Sequence, residues 1–164
     1  MKFSATIIAS FAAMLNMAAA DFLVYEINEN NAGDTMGFPG YAVFDADPDC
    51  KTVLNYPVAW WLGSDDVSED VGVRCGPPQG CAQRDPTLIE QLELNFATEP
   101  VYHFTIYKDR EYGLIGLDGR VYGICEPLDD DDFQCSEGIR AVGGVKKFRC
   151  YSDFSAQTFI DAAK

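Results

Sequence analysis

The sequence predicts a mainly β fold: an antiparallel sheet or small β-sandwich with one or two short helices, cross-linked by disulfides. Residues 101–125, VYHFTIYKDREYGLIGLDGRVYGIC, form three strand-like runs separated by two turn signals. Residues 91–96 alternate polar and apolar side chains with the period of a half-buried strand. The chain also contains six cysteines, an even number that indicates disulfide bonds when a secretory leader is present.

Turn signals set the expected register of this sheet. Asp118-Gly119 is typical of a two-residue type I′ loop, in which both central residues have positive φ. Such a loop pairs Leu114 with Gly123, and a four-residue loop at residues 108–111 adds the preceding strand. Because successive side chains of a strand point to opposite faces, this register sends one set of residues to the core: Tyr102, Phe104, Ile106, Ile115, Leu117, Tyr122 and Ile124.

The opposite face of these strands is mixed, and we expect any surface site on the sheet to lie there. A connection over residues 97–101 adds the run at 91–96 as a neighbouring strand. This pairing places Glu93 opposite Thr105. It also places Asn95 opposite His103. The other members expected on the mixed face are Tyr107, Tyr112, Leu114, Val121 and Cys125.

Local composition predicts the other elements. Strands are expected where β-branched and aromatic residues cluster, at residues 22–27, 41–45, 58–62 and 71–75. Loops are expected where Gly, Pro, Asn or acidic residues dominate, at residues 28–40, 64–70 and 126–134. Asp47 is the expected N-cap of a helix over residues 48–54. The VGGV run at residues 142–145 indicates a hairpin, and residues 152–164 indicate a C-terminal helix.

Residues 1–20 are typical of a secretory signal peptide. They carry one lysine and an apolar stretch, and they end in three alanines, so we expect cleavage after Ala20. A transmembrane anchor is disfavoured because Ser10 and Asn16 interrupt the apolar run. The expected mature chain is a single disulfide-bonded β-rich domain over residues 21–164 that works outside the producing cell and has no membrane span.

The chain is strongly acidic, with a formal net charge of −14 at pH 7. Nucleic-acid binding needs clustered Lys and Arg to contact phosphates, so no nucleic-acid partner is expected. The only basic cluster consists of Arg140, Lys146, Lys147 and Arg149, and we interpret these cations as internal partners of the acidic loops.

Six cysteines allow 15 pairings, among which the sequence alone does not decide. We expect Cys75 to pair with Cys81 across the intervening turn. The remaining expected pairs are Cys125–Cys135, around the acidic loop, and Cys50–Cys150, which would tie the ends of the domain together.

His103 is the only histidine and the only candidate centre for acid–base chemistry. Glu93 and Tyr107 lie on the same expected face and would be its catalytic partners in an enzyme. The run Pro100-Val101-Tyr102-His103 resembles the Tyr-x-His region of small secreted fungal ribonucleases of the guanyl-specific type. That resemblance implies a hydrolase centred on His103. The ribonucleases use two histidines and this chain has one, so we favour a structural His103 and no catalytic residue.

Aromatic side chains are the candidates for a binding surface. Trp60 and Trp61 could stack on a partner, although adjacent strand residues point to opposite faces and at most one would be exposed. Tyr107 and Tyr112 are further candidates on the mixed face. No metal site is expected, because the acidic run at residues 129–132 lacks the interleaved donors of a calcium loop. No cofactor is expected either.

The leader, the six cysteines and the short acidic mature chain resemble the small secreted cysteine-rich proteins of filamentous fungi, the class that includes candidate effectors. The resemblance implies a secreted, non-enzymatic binding or effector-type protein whose partner is a host or cell-wall component. A ribonuclease-like hydrolase is the first alternative, and a structural or antimicrobial secreted protein is the second.

The secreted protein should begin at Asp21 and contain no free thiol. Its intact mass should be six hydrogen atoms below the value for the fully reduced chain, because all six cysteines are oxidised. Mass spectrometry of secreted material checks both expectations, and a thiol titrated under denaturing, non-reducing conditions would contradict the second.

Overall fold

The computed structural model describes residues 20–31, 38–56, 60–61, 71–76, 80–81, 83–97, 100–130 and 132–164. It is mainly β, with an antiparallel sheet, two short helices and three disulfides, which confirms the predicted fold class. The strands are β1 (Ala20–Asn31), β2 (Phe38–Phe44), β3 (Trp60–Trp61), β4 (Gly72–Cys75), β5 (Gln91–Asn95), β6 (His103–Tyr107), β7 (Gly113–Gly116), β8 (Val121–Pro127), β9 (Phe133–Glu137) and β10 (Arg140–Ser152).

The described strands form one sheet in the order β3-β2-β1-β10-β8-β7-β6-β5-β4, and β9 pairs with β10 beside this path. The sheet curls until its two end strands, β3 and β4, contact each other. The main core lies inside the curl and contains Phe22, Val24, Tyr41, Val43, Trp60, Leu92, Leu94, Phe104, Ile106, Leu114, Phe148 and Phe159, among others. A second, smaller cluster lies on the outer side of β1 and β2, around Tyr25, Ile27, Phe44 and Val142.

Two short helices cover parts of the sheet. Helix α1 (Cys50–Leu54) begins later than predicted: its N-cap is Asp49, whose side chain accepts from the amide of Thr52, while Asp47 binds Lys146 instead. Helix α2 (Ala156–Ala162) begins at a reciprocal capping box made by Ser155 and a threonine, and it inserts Phe159 into the core. No helix in the described part of the chain is long and apolar enough to cross a membrane.

The predicted pairing of β5 with β6 is confirmed. Glu93 lies opposite Thr105, and Asn95 lies opposite His103. The amide of Phe96 donates to the carbonyl of Tyr102 at 3.1 Å, which closes the connection between the two strands. Leu92, Leu94 and Phe96 therefore point into the core, as their alternation predicts.

The pairing of β6 with β7 is shifted by one residue from the prediction. Phe104 lies opposite Gly116, not Ile115. The loop between them is one residue longer because both Glu111 and Tyr112 adopt positive φ, at 55° and 57°. Few non-glycine residues adopt this conformation, so composition favoured the shorter loop.

The shift exchanges the two faces of β7 and of β8 from Gly123 onward, whereas Val121 and Tyr122, before the bulge, keep their predicted faces. Leu114 and Cys125 belong to the core, although both were expected on the mixed face. Ile124 and Leu117 were expected in the core, and they are 56% and 61% exposed. Ile115 is buried on the outer side, opposite Thr105. A one-residue slip moves every side chain of a strand to the other face, so a single loop residue explains these differences.

The turn between β7 and β8 is not type I′. The backbone amide of Gly119 donates to the carbonyl of Gly116, and the backbone amide of Gly116 donates to the carbonyl of Arg120. The loop therefore has three residues, and only Gly119, at φ 76°, has positive φ. The register shifts again between Leu114 and Ile115, so that Leu114 still lies opposite Gly123 as predicted.

Strand β10 is continuous through residues 142–145, where a hairpin was predicted. Gly144 lies within the strand, and the ring of Phe133 packs against its backbone. Glycine is needed at this position because an added Cβ would lie 2.2 Å from that ring. The turn that precedes β10 contains Gly138 instead, at φ 60°. Further along β10, Phe148 lies opposite Val24 and Lys146 lies opposite Tyr25, so Lys147 is the extra residue of a β-bulge.

One of the three expected disulfides is confirmed, Cys75–Cys81. The other two expected pairs are wrong, since the structure contains Cys50–Cys135 and Cys125–Cys150. Cys125 and Cys150 lie directly opposite each other on β8 and β10. Cys50 opens α1, which packs against β9 and hence against Cys135. Strand order decides both pairs, and sequence spacing does not carry that information.

Gly119→Val should destabilise the fold by about 1–2 kcal/mol, because a β-branched residue is strained at positive φ. Gly119→Asn should cost less, since Asn tolerates this conformation. An added Cβ at Gly119 meets no atom within 4 Å, so the comparison reports backbone strain alone. Urea unfolding of the three proteins checks this, and equal midpoints for the two variants would contradict the turn assignment.

Removal of the Cys50–Cys135 bridge should destabilise the protein more than removal of Cys75–Cys81. The bridges close segments with sequence separations of 85 and 6 residues. The loop-entropy relation gives about 4–5 kcal/mol for the first and about 2 kcal/mol for the second. Thermal unfolding of the two double Cys→Ser variants tests the order, which a larger loss from the short bridge would reverse.

Candidate functional site

His103 is part of a buried polar network on the outer side of the sheet. Its Nε2 atom lies 2.9 Å from Oε1 of Glu93, and Oε2 of Glu93 accepts from Nε of Arg74 at 2.8 Å. The side chains of His103 and Glu93 are only 2% and 7% exposed, while that of Arg74 is 35% exposed. One carboxylate therefore binds a histidine and an arginine, each through a different oxygen.

Three neighbouring strands build this network. Arg74 on β4 lies opposite Glu93 on β5, and Asn95 on β5 lies opposite His103 on β6. His103 lies two residues from Thr105, the partner of Glu93, on the same face of the sheet. Its imidazole therefore reaches Glu93 diagonally across the two strands. The proximity of Glu93 and His103 follows from the predicted register, whereas the position of Arg74 depends on β4 being the neighbour of β5.

The network contains the groups of an acid–base pair, but its imidazole and its carboxylate are buried and only Arg74 is partly exposed. An imidazole beside a carboxylate can exchange a proton with a substrate only where the substrate can reach it. At 2% exposure, His103 offers no such access. Tyr107, the third candidate catalytic residue, lies four residues further along β6, about 13 Å away. The structure therefore brings together His103 and Glu93 and leaves Tyr107 apart from them.

The four aromatic residues predicted as candidates for a binding surface have different surroundings. Trp60 is 1% exposed, and its indole nitrogen donates to the carbonyl of Phe96 at 2.9 Å. The backbone of Trp61 pairs with β2, and its side chain lies outside the described residues. Tyr107 is half-buried beneath the guanidinium of Arg110, and Tyr112 packs against the core.

The cations of the basic cluster form ion pairs with carboxylates of the same chain. Arg140 binds Glu29 at 2.7 Å, and Arg149 binds Asp21 at 3.0 Å through its Nε atom. Lys146 contacts Asp47 at 2.6 Å and Asp130 at 3.3 Å. Each cation therefore pairs with a carboxylate of the same chain, as the charge pattern indicated.

Lys147 is the most buried of these cations, with a side chain that is 0% exposed. Its ammonium lies 2.9 Å from Oε2 of Glu26 and donates to the carbonyls of Gln83 and Arg84. The three protons of the ammonium thus have three acceptors, which is the condition for keeping a charge inside a protein.

The structure exposes a surface that the sequence did not indicate. Ile124 on β8 and Tyr151 on β10 lie directly opposite each other and are 56% and 42% exposed. Val121, at the start of β8, is 63% exposed. Beside them opens a cleft of about 390 Å³ lined by Asp21, Leu23, Asp45, Ala46, Asp47, Glu126, Leu128, Asp130, Lys146, Arg149 and Tyr151. We call Ile124, Tyr151 and Val121 the apolar strip and this opening the acidic cleft.

The carboxylates of the acidic cleft are held in place by contacts within the chain. Asp47 accepts from Lys146 and from the hydroxyl of Tyr25 at 2.8 Å, and the hydrogen bond from Lys146 lowers the pKa of Asp47. Asp45 caps α2 by accepting from the amide of Ala156 at 2.7 Å. Among the described residues, no group of three or more His, Cys, Asp or Glu side chains could hold a metal ion.

Glu93→Ala should destabilise the protein by about 3 kcal/mol, because it leaves Arg74 and the buried His103 without their shared acceptor. Glu90→Ala is the matched control: Glu90 also forms an ion pair, with Lys108 at 2.9 Å, but on the surface. The control should leave the unfolding midpoint nearly unchanged. Chemical denaturation measures both variants, and equal effects would show that burial of the network contributes nothing.

Comparison of the chain with protein-family models, with curated proteins and with solved structures found no match. The geometry of the chain itself is therefore the basis for a function, in particular the buried pair of His103 and Glu93 and the exposed apolar strip.

Proposed function

We propose that the protein is a secreted, non-enzymatic binding protein of the effector type, which acts on a host or cell-wall component outside the producing cell. The apolar strip carries the proposal. Ile124 and Tyr151 lie on strands that have neighbours on both sides, so they are not the unpaired remainder of a sheet edge. Contiguous exposed apolar residues rimmed by polar ones are typical of surfaces that contact a partner.

The covalent structure supports an extracellular location. Three disulfides suggest a secreted protein, because such bonds persist in oxidising compartments and are rare in the cytosol. The expected leader lies largely outside the described residues, which begin at Ala20, so the cleavage site stays a prediction.

A ribonuclease-like hydrolase is the second candidate, and one observation favours it. His103 and Arg74 lie on the strands that flank β5, and each is within hydrogen-bond distance of Glu93. A carboxylate, an imidazole and a guanidinium are the groups that general acid–base catalysis on a phosphodiester would use. Burial of the imidazole and the net charge of −14, which repels a phosphate backbone, weigh against this candidate.

Turnover assays separate the two candidates. We expect the secreted protein to show no activity on RNA or on ester and glycoside substrates, and His103→Ala to behave in the same way. Glu90→Ala serves as a control for purification. Loss of a true general base costs about 10²–10⁴ in rate, which such assays resolve. Activity in the wild type that is lost in His103→Ala would contradict the binding function and favour the hydrolase.

A further inference from the structure

We propose that the apolar strip and the acidic cleft together dock a basic, amphipathic segment of a partner protein. The proposal rests on the proposed binding function and specifies the chemistry of the partner. Two properties of the surface lead to it: the strip leaves apolar side chains open at the centre of a sheet, and the cleft beside it carries an excess of negative charge.

Within the described chain the strip stays partly open, since Ile124 is 56% and Tyr151 is 42% exposed. Across the sheet, one row of paired residues runs from Asp21 through Tyr151 and Ile124 to Gly113. Gly113 is buried, and the carbonyl of Arg110 and the side chain of Ile115 fill the space beside it, so the strip ends at the β7 flank. The guanidinium of Arg149 lies 5.4 Å from the ring centre of Tyr151 and borders the strip along β10.

The acidic cleft adjoins the strip without a break. Tyr151 belongs to both, and Arg149 and Glu126 form the next row of the same sheet face. Among the described residues, five carboxylates and two cations line the cleft, which leaves an excess of three negative charges. The carboxylates are Asp21, Asp45, Asp47, Glu126 and Asp130.

Charge complementarity selects the occupant. Lys146 already binds Asp47 and Asp130, and Arg149 binds Asp21, so the cleft retains its negative excess after these pairs form. Low-dielectric walls concentrate such a field, and a lysine or arginine side chain would be attracted to it. A second copy of this chain and an anionic lipid surface both carry the wrong sign, since the chain itself has a net charge of −14.

The spacing of the two features suits an extended segment. The row of Ile124 and the row of Glu126 are two residues apart on β8, which corresponds to about 7 Å. Alternate side chains of an extended peptide have the same spacing. A segment with an apolar and a basic residue two positions apart can therefore place the apolar side chain on the strip and the basic one over the cleft.

The probe is a fluorescein-labelled ten-residue peptide with leucine and lysine in turn at every second position and serine between them, so that both share one face of the extended chain, and the control peptide carries glutamate in place of lysine. Fluorescence anisotropy with the secreted protein should show binding of the lysine peptide, weakened by added salt, and no binding of the glutamate peptide. Ile124→Lys should weaken binding by about tenfold or more, since it removes the apolar contact at the centre of the surface and adds a like charge.

Matched variants separate the surface from net charge. Ile139→Lys changes the same residue type at a position that is 70% exposed in the turn before β10. Asp130→Lys replaces a carboxylate that lines the cleft. Its control, Asp109→Lys, replaces a carboxylate in the exposed turn after β6. We expect Ile124→Lys to bind the lysine peptide at least about tenfold more weakly than Ile139→Lys does. We expect the same difference between Asp130→Lys and Asp109→Lys. Thermal melting verifies that all four fold.

Several results would overturn the proposal. Equal affinities for Ile124→Lys and Ile139→Lys would show that net charge alone attracts the peptide, and no binding of the lysine peptide at millimolar concentration would show that the surface has no such occupant. A dimer in sedimentation equilibrium that Ile124→Lys dissociates would identify a second copy as the occupant. None of these outcomes changes the result of the turnover assays. A failure of this docking surface can therefore be distinguished from a failure of the proposed non-enzymatic function.

Discussion

The buried ion pair between Lys147 and Glu26 is the constraint on which the sheet depends. A charge inside a protein is stabilised only where its protons and lone pairs have partners. Lys147 satisfies this condition with one carboxylate and the carbonyls of Gln83 and Arg84. Because both carbonyls belong to the chain between β4 and β5, the ammonium ties that connection to the centre of the sheet. Removal of Lys147 would leave the carboxylate and two carbonyls without their donor.

The β-bulge at Lys147 makes this arrangement compatible with an apolar core. Strict alternation would place Lys147 and Phe148 on opposite faces of β10. The extra residue lets both point inward, Lys147 toward Glu26 and Phe148 toward the main core, where Phe148 is fully buried. Beyond the bulge, Cys150 continues the inner face, and Arg149 and Tyr151 continue the outer one. One inserted residue therefore decides which side chains of β10 the protein buries and which it presents.

The sequence predicted the parts of the fold that local chemistry determines. The pairing of β5 with β6 follows from the alternation of Leu92 and Leu94 together with a short connection, and it placed Glu93 beside the strand of His103. The loop before β7 escaped prediction because Glu111 and Tyr112 adopt a conformation that residue type does not signal. That loop moved Ile124 from the predicted core to the surface. Arg74, the Cys125–Cys150 bridge and the acidic cleft depend on strand order, which local pattern does not specify.

Folding does not account for the apolar strip. At 56% and 42% exposure, Ile124 and Tyr151 contribute little to the core, and substitution of such surface residues usually changes stability by less than about 0.5 kcal/mol. Polar residues at both positions would fit the same backbone and would make the sheet face more soluble. The buried network at His103 differs, because loss of any member leaves at least one polar atom of another without its hydrogen-bond partner. The first feature is therefore the one that points to an interaction, and the second is accounted for by the stability of the sheet.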